Sequence, residues 1–129
     1  MKNLWIGALL SLSALSIAPS VAQDSGAMFD YEKEVTLRGF VKEFQYTNPH
    51  SWLIVDVANE DGSVTTWGFE AEGPSTLLRA GIRKNMLKPG VRLTIVGHPM
   101  RDGRPAAAWI SATLEDGTTL QPLAGFAIR

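Results

Sequence analysis

A chain of 129 residues, 45% hydrophobic and 19% charged, is sized and composed for one folded domain with a modest core. Its 12 Lys and Arg against 13 Asp and Glu exclude the basic surface that a nucleic-acid binder needs to neutralise phosphates. Cysteine is absent, which excludes disulfides, thiol catalysis and thiolate metal ligation.

The chain begins as an export signal does. Lys2 supplies a basic start, residues 4–17 are apolar and dotted with serine, and Ser20-Val21-Ala22 offers the small-x-small pattern of a cleavage site before Gln23. Ser11, Ser13, Ser16 and Pro19 interrupt a run shorter than the roughly 20 apolar residues that cross a bilayer, so a cleaved signal is expected rather than an anchor. We therefore expect a signal peptide over residues 1–22, a periplasmic or secreted protein and no membrane span after cleavage. Removal of Lys2 leaves 11 basic against 13 acidic side chains. A flexible polar lead-in over 23–34, a barrel domain over 35–120 and a tail over 121–129 complete the expected organisation.

The first strand signal is the alternation of Val35, Leu37, Gly39 and Val41 with Thr36, Arg38 and Lys42. Phe44 and Tyr46 fall out of phase with Val41, which predicts a bulge or coil near 39–43 that bends one long strand around a barrel. Asn48-Pro49 turns the chain, because proline fixes its own φ and moves the residue before it out of the helical region. A second strand over 51–58 ends at Asp61-Gly62, a hairpin turn, and a third over 63–71 puts Trp67 and Phe69 on one face. Pro74 and Ser75 open a short helix that stops at Gly81 and is expected to bury Leu77 and Leu78. Pro89-Gly90 is a type II turn, a fourth strand runs over 91–98, and a loop containing Asp102-Gly103 leads to a fifth strand over 106–114. In that strand Ile110, Ala112 and Leu114 are expected to face inward, with Trp109 outward, and residues 118–120 add a short edge strand.

Three strands, a helix and two more strands is the order of an oligonucleotide/oligosaccharide-binding (OB) fold. The expected class is all-β with one short helix, a small five-stranded OB-fold-like Greek-key barrel. An SH3-like barrel or small sandwich is the alternative, and the helix after the third strand favours the OB type.

Val35-Thr36-Leu37-x-Gly39, Thr47-Asn48-Pro49-His50-x-Trp52, Trp67-x-Phe69-Glu70, Pro74-x-x-Leu77-Leu78-Arg79-x-Gly81, Leu87-Lys88-Pro89-Gly90 and Gly97-x-Pro99-x-x-Asp102-Gly103 stand in this order. As a set they resemble a family of short exported bacterial proteins that carry a domain of unknown function. The resemblance spans residues 35–120 and implies an exported bacterial OB-like domain without implying an activity. The turn usually reads Pro-Gly-Asp in that family, whereas Val91 follows Gly90 here.

In an OB barrel the loops after strands one and four are expected at one end, where ligands bind. Those loops bring Tyr46, Asn48, His50, Trp52, His98, Arg101 and Arg104 forward as candidate ligand-binding residues. Arg101 and Arg104 offer forked donors to a carboxylate or phosphate, unless Asp102 pairs with them. An alternative takes His50, His98 and Met100 as copper ligands, since imidazole and thioether suit that metal in an exported protein, although the histidines lack local ligand spacing. Its blander counterpart has His50 bonded to its turn and His98 solvated. Trp52 and Trp109 read as outward, either lining a partner surface or covered by the chain's own ends. Glu70 is expected to pair with Arg79 or Arg83. Asp56, Glu70 and Glu72 are scattered, and Ser51 beside His50 makes no triad by adjacency, so no catalytic residues and no cofactor are expected. The reading reached from sequence is an exported, non-catalytic module that binds a small molecule or an envelope protein, as an accessory to an envelope enzyme, with copper handling as the alternative.

Overall fold

The computed structural model describes residues 28–127, and the expected signal peptide, residues 1–22, lies outside them. In chain order the elements are β1 (Val35–Gln45), β2 (His50–Ala58), β3 (Val64–Glu72), α1 (Pro74–Arg79), a 3-10 turn (Lys84–Met86), β4 (Arg92–Pro99), β5 (Ala106–Leu114), β6 (Thr119–Leu120) and α2 (Ala124–Ala127). The strands lie in the order β3-β2-β1-β4-β5-β6, and a parallel pairing of β3 with β5 closes the first five into a barrel. The expected all-β class, five barrel strands and one short helix after the third, is the architecture observed.

Closure depends on β1. Its first half pairs with β4, Val35 opposite Gly97 through Phe40 opposite Arg92, and its second half pairs with β2, Gly39 opposite Val57 through Gln45 opposite Trp52. The register slips between Val41 and Glu43, so the bulge expected from the broken alternation is present and bends the strand from one neighbour to the next. Gly39 sits where the two pairings overlap, and a Cβ there would collide with the backbone carbonyl of Asp56. Only glycine lets the strands approach that closely.

Inward residues of the barrel form one core that includes Phe44, Leu53, Val55, Phe69, Ile95 and Trp109. Trp109 corrects the expectation for β5. Val96 faces Ser111 but Gly97 faces Trp109, so Ile110 is an extra residue on β5, and the bulge turns Ala107 and Trp109 inward ahead of Ala112. Trp109 packs edge-on against Phe44, with ring centroids 6.2 Å apart. Its indole N–H is buried with no acceptor among the described residues, a cost of about 1–3 kcal/mol.

Helix α1 ends in a Schellman motif: Gly81, at φ 81°, donates to Leu78, and Ile82 donates to Leu77. Leu77 and Ile82 are fully buried, whereas Leu78 is 53% exposed, which corrects the expectation that both leucines pack inward. Adjacent helical residues point about 100° apart, and a helix of little more than one turn has one buried side. Helix α2 lies against α1, with Gly125 so close to Thr76 that any Cβ would meet its carbonyl, and Arg79 Nε donates to the Gly125 carbonyl at 3.3 Å. Arg79 is therefore committed to the tail.

The described part of the N-terminal lead-in is also tied down. Phe29 is fully buried and bridges to Met100, Asp30 donates to Pro99 at 2.8 Å, and Arg101 donates to Met28 at 2.8 Å. These contacts hold the lead-in beside the loop between β4 and β5.

Candidate functional site

Ser51 decides how β2 presents its side chains. It is fully buried, its Oγ accepts from the Thr47 N–H at 3.2 Å and donates to the Thr47 carbonyl at 3.3 Å, and Thr47 Oγ1 donates to the His50 carbonyl at 2.9 Å. These bonds lock the turn around the cis Asn48–Pro49 peptide and set the phase of the strand. With Ser51, Leu53, Val55 and Val57 inward, His50, Trp52, Ile54 and Asp56 stand on the outer face.

Across the ladder His50 faces Glu72 and Trp52 faces Glu70. The Trp52 ring lies over Gly68, where an added Cβ would sit 3.2 Å from Cε3. His50 Nδ1 stands 4.0 Å from Glu70 Oε2, beyond hydrogen-bond reach, and is buried with no partner among the described residues although the side chain as a whole is 41% exposed. Glu70 is only 15% exposed. Burial pushes its carboxyl above the usual range, a charged His50 works the other way, and Glu72 adds to the rise. His50, Trp52, Glu70 and Glu72 thus form one half-buried corner, and the expected pairing of Glu70 with Arg79 or Arg83 gives way to the contact with His50.

The remaining candidates are placed elsewhere. Tyr46 donates its hydroxyl to the Ile82 carbonyl at 2.7 Å and packs edge-on to Phe44, so it ties β1 to the end of α1, and burial raises its phenol. Asn48 is exposed in the turn beside Gly73. His98 is not the solvated strand end of the blander reading. Its Nδ1 lies 2.7 Å from the Lys33 carbonyl, and because a carbonyl only accepts, Nδ1 carries the proton. Its ring meets Tyr31 edge-on at 5.0 Å. Arg104 Nε donates to Asp102 Oδ2 at 2.9 Å across an exposed turn, and the Arg104 backbone N–H and guanidinium hold the Asp102 carboxyl below its usual range. Arg101 is exposed and joins the fold through its backbone.

The two loops stand at different levels of the barrel. Asn48 and Pro49 lie beside Gly73, just past the end of β3, whereas the Pro105 carbonyl accepts from Gly68, five residues earlier. Ala108 pairs with both Glu70 and His98, so His98 stands two strands away from the carboxylate that His50 approaches. His50, His98 and Met100 accordingly stand in three settings, beside Glu70, Lys33 and Phe29 respectively. Among the described residues no group of three or more His, Asp or Glu is arranged to hold a metal. Nor do the described ends lie over Trp52: 28–34 pack at the β4–β5 loop and α2 packs on α1.

A family of unknown function, DUF6152, matches residues 9–109. The chain belongs to this family. No curated protein and no solved structure matches it. Membership therefore carries no chemistry with it, and the geometry of the corner has to be read on its own. Among the described residues no helix is long and apolar enough to cross a membrane.

Glu70 is the member of the corner that sequence reasoning assigned to the wrong partner. Its signal lies in the hairpin: counting outward from the Asp61-Gly62 turn along two nine-residue strands sets Glu70 across from Trp52 and Glu72 across from His50.

Proposed function

We propose that this chain is an exported, non-catalytic binding module built on an OB-type barrel, whose ligand seats on the outer face of β2 and β3 at His50, Trp52 and Glu70. The observation that carries the reading is His50 Nδ1, buried and unpaired among the described residues, at 4.0 Å from Glu70 Oε2. An unsatisfied buried polar atom costs about 1–3 kcal/mol and calls for a compensating partner. A hydroxyl oxygen admitted to the gap by a small turn of the half-exposed His50 ring accepts from Nδ1–H and donates to the carboxylate, about 2.8 Å from each.

Trp52, across from Glu70 on the same outer face, adds a half-buried ring that lies over Gly68. Hydroxyl bridging plus ring stacking is the chemistry of a neutral sugar, and OB barrels bind oligosaccharides on the strand-two and strand-three face, an analogy at the level of fold. Glu70 and Glu72 next to the tryptophan repel phosphates, which disfavours nucleic acid. A module of this kind serves an envelope enzyme as an accessory by holding a sugar-bearing polymer. The alternative copper reading draws no support from where His50, His98 and Met100 stand.

Titration of the purified protein with neutral oligosaccharides, followed by tryptophan fluorescence, tests the reading. The expected result is saturable quenching that Trp52→Ala abolishes and Glu70→Gln weakens at least tenfold, with Glu60→Ala, in the β2–β3 turn, unaffected. Saturable binding that survives Trp52→Ala at full strength would overturn it, as would the lack of any response to neutral sugars.

A further inference from the structure

On the outer face of β1 and β4 a different group of side chains converges. Phe40 faces Arg92 across the ladder, Arg38 faces Thr94, and Thr94 in turn faces Thr113 on β5. Together with Ala58 and Glu115 they border an open groove of about 400 Å³, within the size range of small-molecule sites. We infer that this groove is a second ligand seat, separate from the His50 corner, in which Arg38 and Arg92 hold the carboxylate of a small flat organic acid while its ring lies against Phe40.

Charge makes the first part of the case. Among the described residues the ion pairs are Lys33 with Asp30, His50 with Glu70 and Arg104 with Asp102, so neither Arg38 nor Arg92 has an acidic partner. Asp56, across from Phe40, is taken by the Thr66 hydroxyl at 2.6 Å, and Glu115 stands at the border of the groove. Two guanidinium groups on neighbouring outward positions repel one another, and an anion between them removes that cost. In a chain with more acidic than basic residues, such a concentration of unpaired cations is a local choice.

Shape makes the second part. Phe40 is 43% exposed, and the Arg92 guanidinium lies 5.0 Å from its ring centroid. Stacking on the ring restrains Arg92 and leaves the edge of its planar fork free to donate in parallel to two carboxylate oxygens. Arg38 approaches from two residues earlier on the same face, and Thr94 adds a hydroxyl between them. A carboxylate on a flat apolar ring satisfies both features at once, whereas inorganic phosphate uses only the charge.

The test uses the purified protein and three probes: 2-naphthoate, its neutral counterpart 2-naphthol, and inorganic phosphate. Calorimetric titration is expected to show naphthoate binding at least tenfold tighter than either of the others. Arg38→Gln, Arg92→Gln and Phe40→Ala should each weaken naphthoate at least tenfold, Arg92→Lys should weaken it less than Arg92→Gln, and Glu60→Ala should leave it unchanged. Amide shifts of the unmodified protein provide a readout that needs no variant: naphthoate should move Arg38, Phe40 and Thr94. Naphthol or phosphate binding as tightly as naphthoate, full affinity in Arg92→Gln, or shifts confined to other faces would each overturn the inference.

Discussion

The corner at His50, Trp52 and Glu70 and the groove at Arg38, Phe40 and Arg92 both stand on outward positions of the same barrel, and both set charge beside an aromatic ring. They hold that charge in opposite ways. Glu70 is 15% exposed and titrates high because it is buried, with an imidazole already beside it. Arg38 and Arg92 are exposed and, among the described residues, have no carboxylate partner. Six residues of β2, roughly 20 Å, separate Trp52 from Ala58 at the edge of the groove. A half-buried pair suits a neutral ligand that completes its hydrogen bonds, whereas exposed unpaired cations suit an anion that neutralises them.

The largest expected effect belongs to neither site and serves as the reference for both. Leu77 is fully buried, so Leu77→Ala should lower unfolding stability by about 2–5 kcal/mol, whereas Leu78→Ala, at an exposed position, should cost under about 1 kcal/mol. Denaturant titration measures both, and equal costs would mean that α1 does not bury Leu77 in preference to Leu78.

The next effect separates the floors of the two sites. Gly39 lines the groove, and a methyl there strikes backbone, so Gly39→Ala should cost about 1–3 kcal/mol. A methyl at Gly68 meets side chains, the Trp52 ring at 3.2 Å and Ile54 at 3.8 Å, and a side chain gives way where a backbone does not, so Gly68→Ala should change stability by less than about 1 kcal/mol while shifting the Trp52 signal. A larger loss at Gly68 than at Gly39 would reverse the contrast between a rigid groove floor and an adaptable corner.

Titration gives a smaller and directional effect. The folded protein raises the Glu70 carboxyl above its unfolded value, so the native state binds the proton more tightly. The favourable contribution is fully present below the unfolded carboxylate range and is lost as pH rises through the higher folded value. Glu70→Gln removes this loss, so the stability of the variant relative to the parent should rise across that window. A variant that gains on the parent as pH falls would contradict the burial argument. Asp102, held low by Arg104, should act with the opposite sign, its contribution lost as pH falls through its depressed folded value.

The smallest effect is screening. Raising salt from about 0.01 to about 1 M, which shortens the Debye length from roughly 30 to 3 Å, should weaken an anion in the exposed groove and leave a neutral ligand at the corner nearly unaffected. Equal salt slopes for the two ligands would erase the distinction.

Much of the fold was legible because strand alternation and turn residues are local signals. The turn at Asp61-Gly62, the stop at Gly81 and the bend after Val41 all stand where those signals put them. What was not legible depends on pairing between distant segments. Trp109 and Ile110 are both apolar, so alternation could not reveal which one is the extra residue of the bulge on β5. Leu77 and Leu78 were indistinguishable for a similar reason, since a helix this short shows no periodicity. Of the candidate site, His50 and Trp52 were visible on β2, but Glu70 reaches them only through the hairpin register. Arg38, Phe40 and Arg92 carry no motif at all and meet because β1 crosses from β2 to β4.

The most direct test of the account is a shift map of His50, taken from the imidazole nitrogens and the backbone amides of isotopically labelled protein during titration with a neutral oligosaccharide. The account predicts that Nδ1 of His50 moves first and furthest, with Trp52 and Glu70, while Arg38, Phe40 and Arg92 stay silent. A saturating ligand that leaves His50 Nδ1 unmoved and shifts the loop at 100–104 instead would contradict it.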